Sequence, residues 1–408
     1  MANFAGAVTA AQGFQASGVH VGIKTSNQTK KDVAVIYSEV PCAVAGVFTT
    51  NVVKAAPVQY DMEIVKNGTA RAIVVNSGNA NACTGQQGID DAKTTAEYAA
   101  GLLGVKADEV LVCSTGVIGH NLPMDRVKQG VELACGALSA DAESGHDAAQ
   151  AILTTDLYLK EISYTIDLGG IPVTIGGMAK GSGMICPHMA TMLAFITTDA
   201  AIEGPVLKKM MKEVADLSFN QISVDGDMST NDTMLMMANG LAGNAKIEDG
   251  SREYDLFKET LQNVATYLAK KIARDGEGAT HLFEAEVINA PDEESARIVA
   301  RSIVSSNLVK AAVFGKDANW GRIICAAGYA GVDFDPTVVD IYLKSAVGSI
   351  LVAKDGGGLE FNEDDALEIL KEEDVFAVVD LKAGNAAGKA WGCDLTYDYV
   401  KINADYRT

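Results

Sequence analysis

A glycine-rich segment in the middle of the chain constrains its fold more than any other stretch. Residues 180–193 read KGSGMICPHMATML, and the apolar, strand-like run that begins there continues to residue 196. Glycines and a proline allow the backbone a strained turn, and a strand behind Thr191 would hold its hydroxyl still. The pattern therefore predicts a loop that delivers Thr191 to the start of a strand.

Ala190 and Thr191 have the chemistry of a self-cleaving pair. If the Thr191 hydroxyl attacks the Ala190 carbonyl, the amide becomes an ester, and hydrolysis of that ester frees an α-amine on Thr191. An α-amine has an ordinary pKa of about 8 and would lie beside the hydroxyl that it must activate as a base. On the pattern alone, a plain glycine-rich loop before a buried strand is the commoner explanation.

Further motifs along nearly the whole chain favour the self-cleaving pair over the plain loop. Together with 180–193, six segments in order resemble the ornithine acetyltransferase (ArgJ) family: GVFTTN at 46–51, NSGNANACTG at 76–85, STGVIG at 114–119, DGDMSTNDT at 225–233, DANWGR at 317–322 and INADYRT at 402–408. The resemblance implies cleavage between Ala190 and Thr191. The products would be an alpha chain of residues 1–190 and a beta chain of residues 191–408 with Thr191 as its first residue.

Strand and helix patterns alternate along the chain and predict a mixed, layered fold of the α/β (α+β) class. Runs rich in β-branched residues predict strands at 33–37, 43–49, 72–76, 110–113, 157–166, 221–224, 233–237, 282–288, 338–343, 376–381 and 393–402. Apolar residues at helical spacing predict helices at 89–103, 123–138, 204–218, 255–274 and 293–307. The family resemblance implies a narrower architecture, a four-layer αββα sandwich of the DmpA/ArgJ type. That sandwich is similar to the fold of N-terminal-nucleophile hydrolases but has different connectivity.

The composition excludes several classes of partner. The 408 residues carry 33 Lys plus Arg against 53 Asp plus Glu, a net charge of −20, which repels nucleic acid and anionic membranes. Seven cysteines without a C-x-x-C pair indicate reduced thiols. With no signal-peptide pattern at the start and no run of about 20 apolar residues, we expect a cytoplasmic protein. The five histidines lack metal-ligand spacing, so we predict no metal site.

An acyl-transfer site needs hydrogen-bond donors for the oxyanion that forms on the attacked carbonyl. Thr115 and Gly116, after a predicted strand, offer a hydroxyl and an unhindered N–H, and the resemblance places the oxyanion hole there. A substrate with a carboxylate and a distal ammonium would need one cation and one anion in its pocket. Lys180 and Glu277 suit these roles. The resemblance implies substrate contacts at Thr154, Lys180, Thr191, Glu277, Asn403 and Thr408.

The resemblance implies a glutamate N-acetyltransferase of arginine biosynthesis that transfers acetyl from N²-acetylornithine to L-glutamate by a ping-pong route. No cofactor is needed for that cycle, although some family members also accept acetyl-CoA as a co-substrate. The family assembly is an α₂β₂ heterotetramer.

Two alternatives remain open at this point. One is an N-terminal-nucleophile amidase or aminopeptidase, which would use the same Thr191 but pass the acyl group to water. The other is a non-catalytic amino-acid-binding homologue that keeps the fold without processing. Glutamate-dependent release of ornithine separates the first alternative from the acetyltransferase, and an intact chain would favour the second.

Overall fold

The computed structural model describes residues 2–3, 6–186 and 192–405. Its strands are β1 (Ala2–Asn3), β2 (Phe14–Val19), β3 (Val33–Phe48), β4 (Thr69–Asn79), β5 (Val110–Val117), β6 (Lys160–Leu168), β7 (Ile171–Lys180), β8 (Leu193–Thr198), β9 (Ile222–Ser223), β10 (Thr233–Ala238), β11 (Leu282–Ala290), β12 (Asp340–Ser345), β13 (Gly348–Lys354), β14 (Gly357–Gly358), β15 (Asp374–Asp380) and β16 (Ala386–Cys393). Its α-helices are α1 (Ala56–Ile64), α2 (Gly85–Leu103), α3 (Met124–Gly136), α4 (Ala142–Ala151), α5 (Gly204–Asp216), α6 (Arg252–Arg274), α7 (Glu293–Ser305), α8 (Asn307–Phe314), α9 (Trp320–Gly328), α10 (Glu363–Leu370) and α11 (Tyr397–Asp405). Within the described ranges, no helix is long and apolar enough to cross a membrane.

Strand β3 links the two halves of the larger sheet. The strand order is β1-β6-β7-β8-β10-β3-β4-β5, with β2 also paired to β3. The first part of β3 pairs with β2 and β4 and its last part pairs with β10, while its register with β4 shifts between Tyr37 and Cys42. The predicted strands at 33–37 and 43–49 are therefore one strand. The prediction of two strands was wrong because an irregularity in pairing resembles a break in the sequence pattern.

The two halves of this sheet lie face to face and are covered by helices. One apolar core contains Ile36, Ile73 and Leu111 from β3, β4 and β5 together with Phe195 and Leu235 from β8 and β10. The opposite face of β3, β4 and β5 packs against α2 and α3. The opposite face of β6, β7, β8 and β10 packs against α5 and α6. This layering confirms the expected αββα sandwich.

The smaller sheet has the order β14-β13-β12-β15-β11-β16-β9. Helices α7, α8, α9 and α10 cover it and share a separate apolar core with β11, β12, β13, β15 and β16. Within that core unit the segment 317–322 has a structural role, since the Asn319 side chain caps α9 by accepting the Arg322 N–H.

The end of the chain folds differently from its pattern. The strand predicted at 393–402 is wrong, because β16 ends at Cys393 and α11 begins at Tyr397. Between them the Thr396 hydroxyl accepts the Tyr399 N–H at 3.3 Å, as an N-cap side chain does. Alternating apolar residues and two tyrosines are typical of a strand, but the Thr396 cap stabilises a helix here.

Candidate active site

The proposed nucleophile Thr191, its cleavage partner Ala190 and the proposed substrate contact Thr408 lie outside the described residues. The chain on both sides of 187–191 is anchored by aspartates. Asp225 accepts the N–H groups of Met184 and Ile185 at 2.6 and 2.8 Å, and Asp232 accepts the Met192 N–H at 2.9 Å. These bonds fix Met184 and Ile185 on one side of 187–191 and Met192 on the other.

Three strand ends meet in one half of the sandwich next to the described residue Met192. Lys180, the last residue of β7, pairs with Leu193, the first residue of β8. Leu193 pairs in turn with Thr233, the first residue of β10. Leu193, at the start of β8, therefore lies between the end of β7 and the start of β10.

Thr115 and Gly116 lie near the end of β5 in the other half, where its register with β4 shifts at Gly78 and Asn79. Thr115 is buried, and Gly116 has φ of +136°, which L side chains rarely adopt. A Cβ on Gly116 would lie 2.3 Å from the carbonyl carbon of Gly78. Only glycine fits at this position, and its N–H is left without a side chain to shield it.

Asn231 joins the Thr115 strand to the anchor of Met192. Its side-chain amide donates to the Ala80 carbonyl at 2.7 Å and to the Ser114 carbonyl at 2.8 Å. The next residue is Asp232, whose carbonyl accepts the Thr49 N–H at 3.0 Å. Four of the family-like sequence segments therefore meet at one end of the sandwich. They are 46–51, 76–85, 114–119 and 225–233.

Lys180 is part of a buried cluster of charges. Its Nζ lies 3.9 Å from Asp156, and Asp156 also accepts the N–H of Gly181 at 2.6 Å and of Thr154 at 3.2 Å. Lys160, which is fully buried, donates to Asp156 at 2.8 Å and to Asp275 at 2.6 Å. The cluster brings Thr154 and Lys180, two predicted substrate contacts, around one carboxylate.

The cluster shifts the pKa values of its members. Burial lowers the pKa of Lys180, and the nearby Asp156 partly offsets that effect. Burial alone would raise the pKa of Asp156, but Lys180 and Lys160 together hold it well below its usual range. Asp156 is therefore ionised at neutral pH and fixes a positive charge at the end of β7.

Glu277 and Asn403 lie next to the same loop. The Glu277 N–H donates to the Ser182 carbonyl at 2.9 Å, and a Cβ on Gly183 would meet the Glu277 carboxyl group at 2.5 Å. Helix α11 returns to this place, where the Asn403 amide donates to Glu277 Oε2 at 2.7 Å. The structure thus brings Thr154, Lys180, Glu277 and Asn403 together around one loop. Thr115 and Gly116 directly follow Ser114, whose carbonyl accepts from Asn231.

Sequence reasoning missed three groups here. Asp156 and Lys160 gave no signal, because an Asp just before a predicted strand and a Lys within that strand look like surface charges. Asp232 lay inside the segment 225–233, whose resemblance was noted without a role for any one residue. Its position directly before a predicted strand parallel to the Thr191 strand was the available signal.

The structure defines the class of layered α/β sandwich proteins, here with buried charged groups at one end of the larger sheet. The chain belongs to the ArgJ family, whose model matches residues 15–408.

Relatives match over the whole length. The chain is 55% identical over 403 residues to the arginine biosynthesis bifunctional protein ArgJ of Caldanaerobacter subterraneus subsp. tengcongensis, with 99% of each chain covered. It is 48% identical over 404 residues to the protein of the same name from Bacillus subtilis, covering 99% of this chain and 97% of the relative. A crystal structure of arginine biosynthesis bifunctional protein ArgJ from Bacillus halodurans matches with 47% identity and a TM-score of 0.50, over 52% of this chain and 98% of that one.

Proposed function

We propose that this chain is a glutamate N-acetyltransferase of arginine biosynthesis that transfers acetyl from N²-acetylornithine to L-glutamate. The observation that carries the proposal is that a buried lysine, Lys180, directly precedes the loop 181–183 and that Glu277 packs against the same loop. A buried cation can hold the substrate carboxylate, and the Glu277–Asn403 pair can hold a distal ammonium. Family membership and the name of the relatives support the same activity.

Thr191, Thr115 and Gly116 have separate roles in the proposed acetyl transfer. The Thr191 α-amine takes the hydroxyl proton, Oγ1 attacks the acetyl carbonyl, and the Thr115 hydroxyl and Gly116 N–H stabilise the oxyanion. The tetrahedral intermediate then breaks its C–N bond. The departing ornithine nitrogen takes the proton from the Thr191 α-ammonium, and the acetyl group stays on Thr191 as an ester. The amine of glutamate then attacks this ester, and N-acetylglutamate leaves as Thr191 regains its proton.

We further propose that the chain cuts itself between Ala190 and Thr191. The Bacillus halodurans chain is covered to 98% by about half of this chain, so it is about half as long. A cut between residues 190 and 191 gives pieces of 190 and 218 residues, and each piece is about half of the 408-residue chain. The described residues on both sides of 187–191 are anchored by Asp225 and Asp232.

Intact mass and turnover test the proposal together. Wild-type protein should give two pieces, the larger beginning at Thr191, and should release ornithine only when glutamate is present. Thr191→Ala should remain one chain without turnover, while the matched control Thr191→Ser keeps a hydroxyl and should retain some cleavage and transfer. Equal ornithine release with and without glutamate would instead indicate an amidase, and a single wild-type chain would contradict self-cleavage.

Acetyl-CoA is proposed as a second acetyl donor because of a lysine-edged groove. A cavity of about 820 Å³ beside α5 is lined by Lys54, Lys208, Lys209 and Lys212 and by apolar residues of β3. On a chain of net charge −20 such a grouping suits an anionic, partly apolar molecule. Thr49 borders the groove, and its N–H donates to the carbonyl of Asp232, the residue that anchors Met192.

Charge reversal tests the groove. Lys208→Glu with Lys212→Glu should raise KM for acetyl-CoA at least about tenfold and leave KM for N²-acetylornithine unchanged, since charge complementarity acts only on the polyanion. Lys371→Glu, on the exposed end of α10, is the control and should change neither value. Equal effects on both donors would contradict this role.

The assembly of the pieces is a separate proposal. We expect an α₂β₂ heterotetramer, as the resemblance implies. Native mass spectrometry of the cleaved protein tests it, and a mass of one alpha and one beta chain would contradict it.

A further inference from the structure

A small cavity with two lysines in its wall lies beside the end of β4. Its volume is about 170 Å³, and the residues of its lining that matter here are Lys24, Lys30, Asp32, Gly78 and Thr154. One water molecule takes about 30 Å³ in the liquid, so the cavity has room for a carboxylate and part of the chain that carries it.

On one side the cavity adjoins the proposed oxyanion hole. A Cβ on Gly78 would lie 3.1 Å from the Cβ of Lys24 and 3.2 Å from its backbone nitrogen, so Lys24 packs directly against Gly78. Gly78 pairs in turn with Gly116, and the close approach of the two glycines was described above. A single residue therefore separates Lys24 from the N–H group proposed to bind the acetyl oxygen.

On another side the cavity adjoins the charged cluster around Asp156. The Lys30 ammonium donates to the Thr154 carbonyl at 2.8 Å, and the Thr154 N–H donates to the Asp156 oxygen that lies 3.9 Å from Lys180 Nζ. Partial burial lowers the pKa of Lys30, Asp156 opposes that effect, and Lys180 and Lys160 add to it. Thr154, a predicted substrate contact, is thus linked to Lys30 directly and to Lys180 through Asp156.

The loop that carries the two lysines is held in place by its own hydrogen bonds. The Asn27 N–H donates to the Lys24 carbonyl at 2.8 Å, and Asn27 Oδ1 accepts the Lys30 N–H at 2.9 Å. The Asp32 carboxylate accepts two backbone N–H groups at 2.8 Å and the Asn27 amide at 3.1 Å. The wall therefore combines two cations with one carboxylate that already accepts three hydrogen bonds, an arrangement that favours an anion.

The proposed reaction needs such a place for one of its two amino acids. Ornithine and glutamate share an α-carboxylate, which Lys180 suits, but their side chains end in opposite charges. The Glu277 carboxylate suits the ornithine ammonium and repels a second carboxylate. The distal carboxylate of glutamate therefore requires a cationic partner elsewhere in the site.

We infer that the cavity lined by Lys24 and Lys30 is the subsite for the distal carboxylate of the acetyl acceptor, a dicarboxylic amino acid. The inference rests on the proposed function, because it assigns a subsite for the glutamate of that reaction. The ammonium groups of Lys24 and Lys30 bind the carboxylate, while the ornithine side chain is bound by Glu277. The entering and the leaving amino acid are thereby told apart by the charge of their side chains.

Acceptor kinetics test the subsite, because the acetyl group can be passed to glutamate or back to ornithine. Lys24→Met and Lys30→Met should each raise KM for L-glutamate at least about tenfold, since each variant loses a charge-assisted hydrogen bond to the carboxylate. The KM for ornithine, measured by exchange of labelled ornithine into N²-acetylornithine, should change less than about threefold, since its side chain has no carboxylate.

Two further variants serve as controls. Lys31→Met removes the adjacent lysine of the same loop, which pairs with Asp147 and does not line the cavity, and it should change neither KM. Lys30→Arg keeps the charge and should restore most of the affinity for glutamate that Lys30→Met loses. An arginine variant as weak as the methionine variant would contradict a role for the charge.

The remaining outcomes separate the inference from the proposed function. A wild-type protein without glutamate-dependent release of ornithine would refute the proposed function, and the subsite with it. With an active wild type, an unchanged KM for glutamate in both methionine variants would refute the subsite alone. Equal increases in KM for glutamate and ornithine would also overturn it, because the lysines would then serve the α-carboxylate that both amino acids share. An increase for acetyl-CoA in place of glutamate would assign the lysines to a different anion.

Discussion

At the scale of single residues, the buried hydroxyl of Thr115 is the side-chain donor proposed for the oxyanion. Thr115→Val keeps the shape and removes this donor, so kcat should fall on the order of 10²–10³-fold with little change in KM for N²-acetylornithine. Thr115→Ser keeps the hydroxyl and should stay within about tenfold of wild type. Steady-state kinetics of the three proteins test this, and a Val variant as active as the Ser variant would contradict the role.

Asp156 determines how the charged cluster responds to pH. Its pKa is lower in the folded chain than the ordinary value of about 4, so the stability it contributes is complete above about pH 4 and is lost as pH falls further. Asp156→Asn leaves Lys160 and Lys180 buried without this partner and should lower the free energy of unfolding by about 3–5 kcal/mol at pH 7.

Urea unfolding of wild type and Asp156→Asn at several pH values checks this prediction. The difference in free energy of unfolding should shrink below pH 4. Asp249→Asn, which breaks the exposed ion pair with Lys209, is the control and should cost less than about 1 kcal/mol. A difference between wild type and Asp156→Asn that is constant from pH 7 to pH 3 would count against the assignment.

At the scale of elements, helix α11 contacts residues of the candidate site but buries none of its described side chains in the core. None of its described residues is buried, yet Asn403 bonds to Glu277 and the Tyr399 hydroxyl bonds to Asp225 at 3.2 Å. Removal of 396–408 should therefore lower kcat/KM at least about 100-fold and shift Tm by only a few degrees.

A C-terminal extension should also impair turnover, whereas the same extension at the N-terminus should not. Equal turnover of the C-terminally extended and the native protein would contradict this prediction.

The same elements show how far the sequence allowed prediction. Segments whose burial follows from local periodicity, such as α6 and β10, were predicted nearly in place. The strand predicted at 393–402 failed because the Thr396 cap and the contacts of Tyr399 and Asn403 outweigh an alternating pattern. The β3 irregularity likewise depends on pairing with strands far away in sequence.

The site was predictable to a similar degree and for similar reasons. Resemblance named Thr154, Lys180, Glu277 and Asn403, which the structure brings together. The Lys160 cluster was not predictable, because its two carboxylates, Asp156 and Asp275, are far apart in the chain and only the folded sandwich places both around one ammonium.

At the scale of the whole molecule, cleavage between 190 and 191 would not divide the fold. The cut would separate β7 from β8, yet β8 and β10 of the second piece lie between β7 and β3 of the first piece in one sheet. The apolar core shared by β3, β4, β5, β8 and β10 also contains residues from both pieces. The pieces should therefore behave as one cooperative unit that is assembled before the bond is cut.

Size-exclusion chromatography and unfolding of the cleaved protein test this expectation. Both pieces should elute together in native buffer, separate only in denaturant, and unfold in one transition. Because the cleaved protein unfolds into two chains, its Tm should rise with protein concentration, whereas that of uncut Thr191→Ala should depend on concentration only through subunit association. Pieces that separate in native buffer, or that unfold in two independent transitions, would show that the sheet does not hold them together.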